Sequence, residues 1–148
     1  MTLAGRIAAI LGADAVSTDP ADCALATADI FPAAGTPPAA FVLRPATTDQ
    51  TAAALRLLAE HGQPAIPRGA GLSYTGGVVP RRSAAVLDTS RLDSISVDAP
   101  NLTAVIGAGA SWRSVADALA PHGLRSAQPA PISGAVTTVG GTAAQHLP

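Results

Sequence analysis

The sequence contains no lysine: all nine of its basic residues are arginine. That excludes a phosphate-binding P-loop lysine and a Schiff-base lysine. Cysteine occurs once, at Cys23, so neither an internal disulfide nor a cysteine-based zinc site is available. Aromatic residues make up only 3% and charged residues 13%, with a formal net charge of −1. Nucleic acid, which calls for a basic face or stacking platforms, is thereby excluded as a partner. No apolar run approaches the ~20 residues of a membrane span. What the chain has is 148 residues of single-domain length, 48% of them hydrophobic. A positive mean hydropathy excludes a disordered charged tail. Alanine dominates the apolar fraction, so each buried side chain removes little area from water and the core should be thin.

Periodicity organises the chain as α+β. Leu3, Ile7, Ile10 and Leu11 form one helical stripe that Gly12 can end. The N-terminal stretch carries one early arginine and a short apolar run broken by Gly12 and Asp14, which reads as a helix rather than a secretion signal. A cytoplasmic location follows as the default. Residues 17–40, rich in Pro, Asp, Thr and Ala, read as an extended lead-in without a packed element. Ala40 to Leu43 and Ala84 to Leu87 are short apolar runs of the buried-strand type. Thr47 with Gln50 forms a capping box for a helix that Gly62 stops. Residues 64–67 resume an extended path, Ser94–Val97 alternates like a half-buried strand, and Leu102–Ile106 is a further strand. Ser111 caps a helix running through Val115 and Leu119 to Gly123. Residues 126–148 read as Pro and Gly loop with a short Val136–Val139 segment. No repeat of 20–50 residues occurs.

The chemistry concentrates in two glycine-bearing segments. Pro67 to Gly77 (PRGAGLSYTGG) follows an extended stretch and carries four glycines, with hydroxyls at Ser73 and Thr75. Glycine has no Cβ to block a ligand and tolerates positive φ, and successive small residues can turn their N–H groups into one anion-binding concavity. A phosphate or pyrophosphate is the natural guest. A plain flexible turn is the alternative, and the length of the run counts against it. Pro129 to Gly141 again offers hydroxyls and glycines without charge; alone it could be a solvated linker. Beside the first loop it becomes a second wall for a dinucleotide. Gly107-Ala108-Gly109 follows a strand and precedes a helix, but Trp112 stands where a Rossmann fingerprint wants its third glycine. Tyr74 breaks the pattern in the first loop, and no acidic residue lies at the required distance, so the Rossmann reading is rejected for both. Gly107 and Gly109 are read as permitting a tight turn.

Isolated residues receive structural readings. His61 and His122 each precede a helix-stopping glycine and read as caps; His146 lies in the tail. Cys23 reads as an inert small hydrophobe, Trp112 as core packing, and Asp88 as a turn cap or a partner of Arg91.

With both segments in place, the order of pieces resembles the N-terminal part of FAD-binding domains of the vanillyl-alcohol oxidase / p-cresol methylhydroxylase (PCMH) type. The match is to the FAD-linked oxidase branch that includes glycolate oxidase flavin subunits and D-lactate dehydrogenases. The matching stretches are Val42-Leu43-Arg44-Pro45, Pro67 to Gly71 with Ser73 and Gly76-Gly77, Leu87 to Leu92, Gly107-Ala108-Gly109, Pro121 to Leu124, and Thr138 to Gly141. The resemblance implies an α+β PCMH-type FAD-binding domain: a first subdomain plus an incomplete second one, after an N-terminal helix and lead-in over residues 1–35, with the domain itself over 36–148. It implies that Gly69, Ala70, Gly71, Leu72 and Ser73 cradle the pyrophosphate through backbone N–H groups, with Arg68, Tyr74, Gly76 and Gly77 beside them. It implies that Ser133, Gly134, Thr138, Gly140 and Gly141, with Pro131 and Thr137, line the flavin and ribityl-phosphate side. No catalytic residue and no metal ligand is assigned.

Three departures qualify the match. The family's Pro-Asp-Pro is Pro129-Ala130-Pro131 here. The first loop has no histidine, so FAD should be held non-covalently. The pattern is not continued after Gly141, so the chain is expected to be truncated and to lack the substrate domain. The function so implied is an FAD-binding module of an FAD-linked oxidoreductase, one that oxidises a 2-hydroxy acid of the lactate or glycolate class by hydride transfer to flavin. The alternatives are a catalytically silent remnant, or a half-domain that needs a complementing chain or a second copy of itself.

Overall fold

In the computed structural model, residues 1–30, 35–74, 76–77, 79–127 and 133–145 are described. The chain runs α1 (Leu3–Leu11), β1 (Val16–Ser17), α2 (Pro20–Ala26), β2 (Phe41–Leu43), α3 (Thr48–Glu60), β3 (Ala65–Arg68), β4 (Ala85–Asp88), β5 (Ile95–Asp98), β6 (Thr103–Ile106), α4 (Trp112–Leu119) and α5 (Val139–Ala144). The first four strands form one sheet in the order β1-β2-β4-β3, with β1 antiparallel to β2 and the rest parallel. Val42, Val86 and Ile66 stand side by side across it. β5 and β6 form a separate antiparallel pair. The architecture is the expected α+β one.

The unbroken apolar runs of β2 and β4 have a packing cause. Both strands lie inside the sheet and are covered on both faces, so neither alternates with polar residues. Phe41, Leu43, Ala85 and Leu87 pack with Ile7 and Leu11 of α1 and Ala54, Leu57 and Leu58 of α3. Val42 and Val86 point the other way, against Cys23 and Ala26 of α2 and Ala39. β5 and β6 alternate exposed with half-buried residues. α3 is capped as its sequence requires: Gln50 N donates to Thr47 Oγ1 (3.1 Å), while Gln50 Oε1 accepts from Ala46 N (2.8 Å).

Several expectations are corrected. Residues 17–40 are not merely a lead-in: β1 pairs with β2, and α2 buries Cys23 and Ala26. Asp19 caps α2 by accepting from the Ala21 and Asp22 amides, and Pro20 takes the first turn. Ile10 is exposed, leaving Ile7 and Leu11 as the buried members of the α1 stripe. Residues 139–144 are a short helix, not loop, capped by Thr138. Asp88 caps a turn through Ser90 N (2.9 Å) as expected, but its ion partner is Arg44, not Arg91. Arg44 bridges Asp88 (3.1 Å) and Asp22 (3.2 Å), joining the end of β4 to α2. No helix among the described residues is long and apolar enough to cross a membrane.

Candidate cofactor site

The first glycine segment leaves the C-terminal end of β3, the edge strand of the sheet. Its root is tied to β4, because Thr89 N and Thr89 Oγ1 both donate to Arg68 O (2.9 and 3.2 Å). Arg68 does not turn its guanidinium into open space. Its Nη1 donates to the carbonyls of Ala26 (3.0 Å) and Ala28 (2.7 Å), at the C-terminal end of α2. Helix-end carbonyls lack intrahelical partners, and an arginine satisfies them. Gly71, at φ +72°, lies over that guanidinium: a Cβ there would collide with it. Further along, Ile30 N donates to Ser73 O (3.0 Å) and Gly76 N donates to Asp29 Oδ2 (2.9 Å). Within this frame the amides of Gly69, Ala70, Gly71 and Leu72 have no acceptor among the described residues. Gly69, Gly71, Leu72 and Ser73 are half-buried, whereas Ala70, Tyr74, Gly76 and Gly77 are exposed. Thr75 lies outside the described residues.

The second segment reaches the first at one position. A Cβ on Gly69 would lie 2.5 Å from Thr138 Oγ1, so any side chain there would have to displace Thr138. The amides around Thr138 are otherwise engaged. Val139 N and Gly140 N donate to Ala110 O and Ala108 O (both 2.9 Å), and Gly141 N donates to Thr138 Oγ1 (3.2 Å). Gly140 packs directly on Ala108, where a Cβ would come within 2.8 Å of its carbonyl oxygen. Ser133 O accepts from Val136 N and Thr137 N, and Arg113 N donates to Gly134 O. Ser133 and Gly141 are exposed, Thr137 and Gly140 half-buried, and Gly134 and Thr138 buried. Among the described residues of this segment, the amides of Val136, Thr137, Val139, Gly140 and Gly141 are hydrogen-bonded within the fold. Pro129, Ala130 and Pro131 lie outside the described residues, as does His146.

Gly107 and Gly109 serve close approach rather than a special φ. A Cβ on either would run into the carbonyls of Leu92 and Thr89, and Gly107 N and Gly109 N donate to Ser94 O (2.7 Å) and Leu92 O (2.8 Å). Trp112 is half-buried and donates from Nε1 to Thr142 Oγ1 (2.8 Å), tying α4 to α5. His61 caps α3 through a hydrogen bond with Leu57 O (2.8 Å) and meets Arg6 (2.7 Å). Among the described residues no cluster of His, Cys, Asp or Glu could hold a metal.

Sequence reasoning missed the backing of the loop by residues 26–30. The tie from Asp29 to Gly76 spans 47 positions, so no local pattern signals it. Open, uncharged N–H groups suit an anion.

A family model described as an FAD binding domain matches residues 38–147. A D-lactate dehydrogenase of Archaeoglobus fulgidus is 38% identical over 106 residues, which are 71% of this chain and 23% of that protein. Glycolate oxidase subunit GlcD of Bacillus subtilis is 33% identical over 101 residues, 68% of this chain and 21% of its own length. The chain thus spans less than a quarter of these curated relatives. The solved structure of p-cresol methylhydroxylase with substrate bound superposes with a TM-score of 0.82 at 17% identity, covering 95% of this chain and 28% of that one. That likeness shows a shared PCMH-type fold, of which this chain represents a part. The chain belongs to the FAD-binding domain family of FAD-linked oxidoreductases.

Proposed function

We propose that the diphosphate of FAD rests on the amides of Gly69–Ser73, with the segment 133–141 as the facing wall, and that the chain serves an FAD-linked oxidation of a 2-hydroxy acid of the lactate or glycolate class in the cytoplasm. The observation that carries this reading is the set of amides at Gly69–Leu72 that have no acceptor among the described residues, held where Gly69 meets Thr138. Converging backbone N–H groups suit a diphosphate. Bound there, FAD would supply hydride-accepting redox chemistry toward a 2-hydroxy acid. The chain's own residues bind and orient. Arg68 braces the loop, Gly69 leaves room for Thr138, and Thr138 caps α5 through Gly141 N. The substrate class follows the names of the two curated relatives.

Calorimetric titration of the flavin-free chain with FAD tests the reading. Saturable binding is expected, with Gly69→Val weakening it about tenfold or more, since the added methyls displace Thr138. A chain that leaves FAD free ends the assignment. Acid precipitation of the loaded protein should release all flavin to the supernatant, as non-covalent attachment requires. A second reading, an FAD-holding half that works beside a complementing chain or a second copy, is favoured by exposed Tyr74 (68%), Ile30 (53%) and Val136 (56%). Dye reduction with D-lactate or glycolate by the FAD-loaded chain alone contradicts that second reading.

A further inference from the structure

We propose that Asp29 and Arg68 are positioning residues of the cofactor site, a reciprocal clamp through which the segment 26–30 sets the shape of the diphosphate loop. The proposal rests on the reading of Gly69–Ser73 as the diphosphate cradle. It extends the site to a stretch outside residues 38–147, the region the family model covers. Loop and segment are laced at its beginning, middle and end. At the root, Arg68 reaches back to Ala26 O and Ala28 O. In the middle, Ser73 O accepts from Ile30 N. At the far end, the largely buried Asp29 carboxylate accepts from Gly76 N. Each partner lends a charged side chain to the other's backbone, and charge-assisted bonds are the stronger kind.

The lacing explains why the amides of Gly69–Leu72 have no acceptor among the described residues. A glycine-rich loop left to itself samples many backbone states, and binding an anion would first have to order it. Here positions 68, 73 and 76 are held by the protein, so the intervening amides face the ligand already arranged. Gly71 fits the same account, because its missing Cβ lets the chain fold over the Arg68 guanidinium. Asp29 touches no ligand in this scheme; it acts through Gly76.

Residue-resolved hydrogen exchange on the free wild-type chain is the first arm. The Gly76 and Ile30 amides should exchange at least about a hundredfold slower than unstructured amides, while Gly69–Leu72 exchange near the open rate and slow on adding FAD. Gly76 exchanging at the open rate overturns the clamp. In the second arm, Asp29→Ala should raise the FAD Kd about tenfold and release the Gly76 amide, with the helical circular dichroism kept. Asp29→Asn, which keeps an acceptor oxygen, should restore both to within about threefold, and the exposed control Asp49→Asn should change neither. A wild-type Kd in Asp29→Ala, or no rescue by Asp29→Asn, also overturns it. Should Asp29→Ala fail to fold, the wild-type exchange pattern decides alone. A wild-type chain that ignores FAD removes the cradle reading, while Gly76 still reports whether the lacing exists.

Discussion

At the scale of single residues, the glycines at 107 and 109 answer to neighbours rather than to φ. Gly107 and Gly109 have ordinary backbone angles, yet a methyl on either would meet a carbonyl of the 89–92 turn. Gly109→Ala is expected to cost about 1–3 kcal/mol, read from the urea midpoint, because the turn must move to admit it. Cys23 bears out its reading as an inert hydrophobe, since it is buried. Burial, and then the charges of Asp22 and Asp19, push its thiol above the ordinary value. The folded chain therefore holds the proton more tightly than the unfolded one. The stability this represents is complete below the ordinary thiol range and is lost as pH rises through and beyond it. Native protein at pH 8 should leave a disulfide dye unreacted over minutes, with full reaction on adding urea. Prompt native reaction would show that α2 does not cover the sulfur.

At the scale of elements, α2 links the N-terminal region to the site. Its Asp22 carboxyl is held below the ordinary carboxylate range by a hydrogen bond from Ser17 and then by Arg44. A lowered value means stability present above about pH 4 and withdrawn as pH falls through the folded value. Asp22→Asn should flatten that part of the acid-unfolding profile and leave the neutral range little changed. Legibility followed locality. The doubly covered strands β2 and β4 were readable as continuous apolar runs, and α3 was readable from Thr47 and Gln50. The helix α2 carried a readable start signal, Asp19 before Pro20, masked by a composition typical of loops. The helix α5 was hard to read, since two glycines in its first turn argue against helix; the Thr138 cap, the Trp112–Thr142 bond and packing of Gly140 on Ala108 favour it. The glycine loop itself was legible, and the residues that brace it from 26–30 were not.

At the scale of the whole molecule, the larger sheet, the β5-β6 pair and the two glycine segments are stitched along one seam. Thr89 and Leu92 meet Gly109 and Gly107, Ala108 meets Gly140, and Thr138 meets Gly69. A ligand resting on that seam stabilises the folded state by mass action. FAD at a hundredfold excess over its Kd should add about 2.7 kcal/mol, or roughly 5–10 °C in Tm for a chain of this size. Differential scanning calorimetry across an FAD series checks it, and a Tm independent of FAD would show that the folded chain does not bind it. The sole tryptophan also sits on this seam, its indole N–H held by Thr142. This places an intrinsic fluorophore beside the proposed cofactor wall. Its ultraviolet emission overlaps flavin absorption, so quenching of Trp112 reports docking without any attached dye, and a red shift reports α5 peeling away before the main sheet melts.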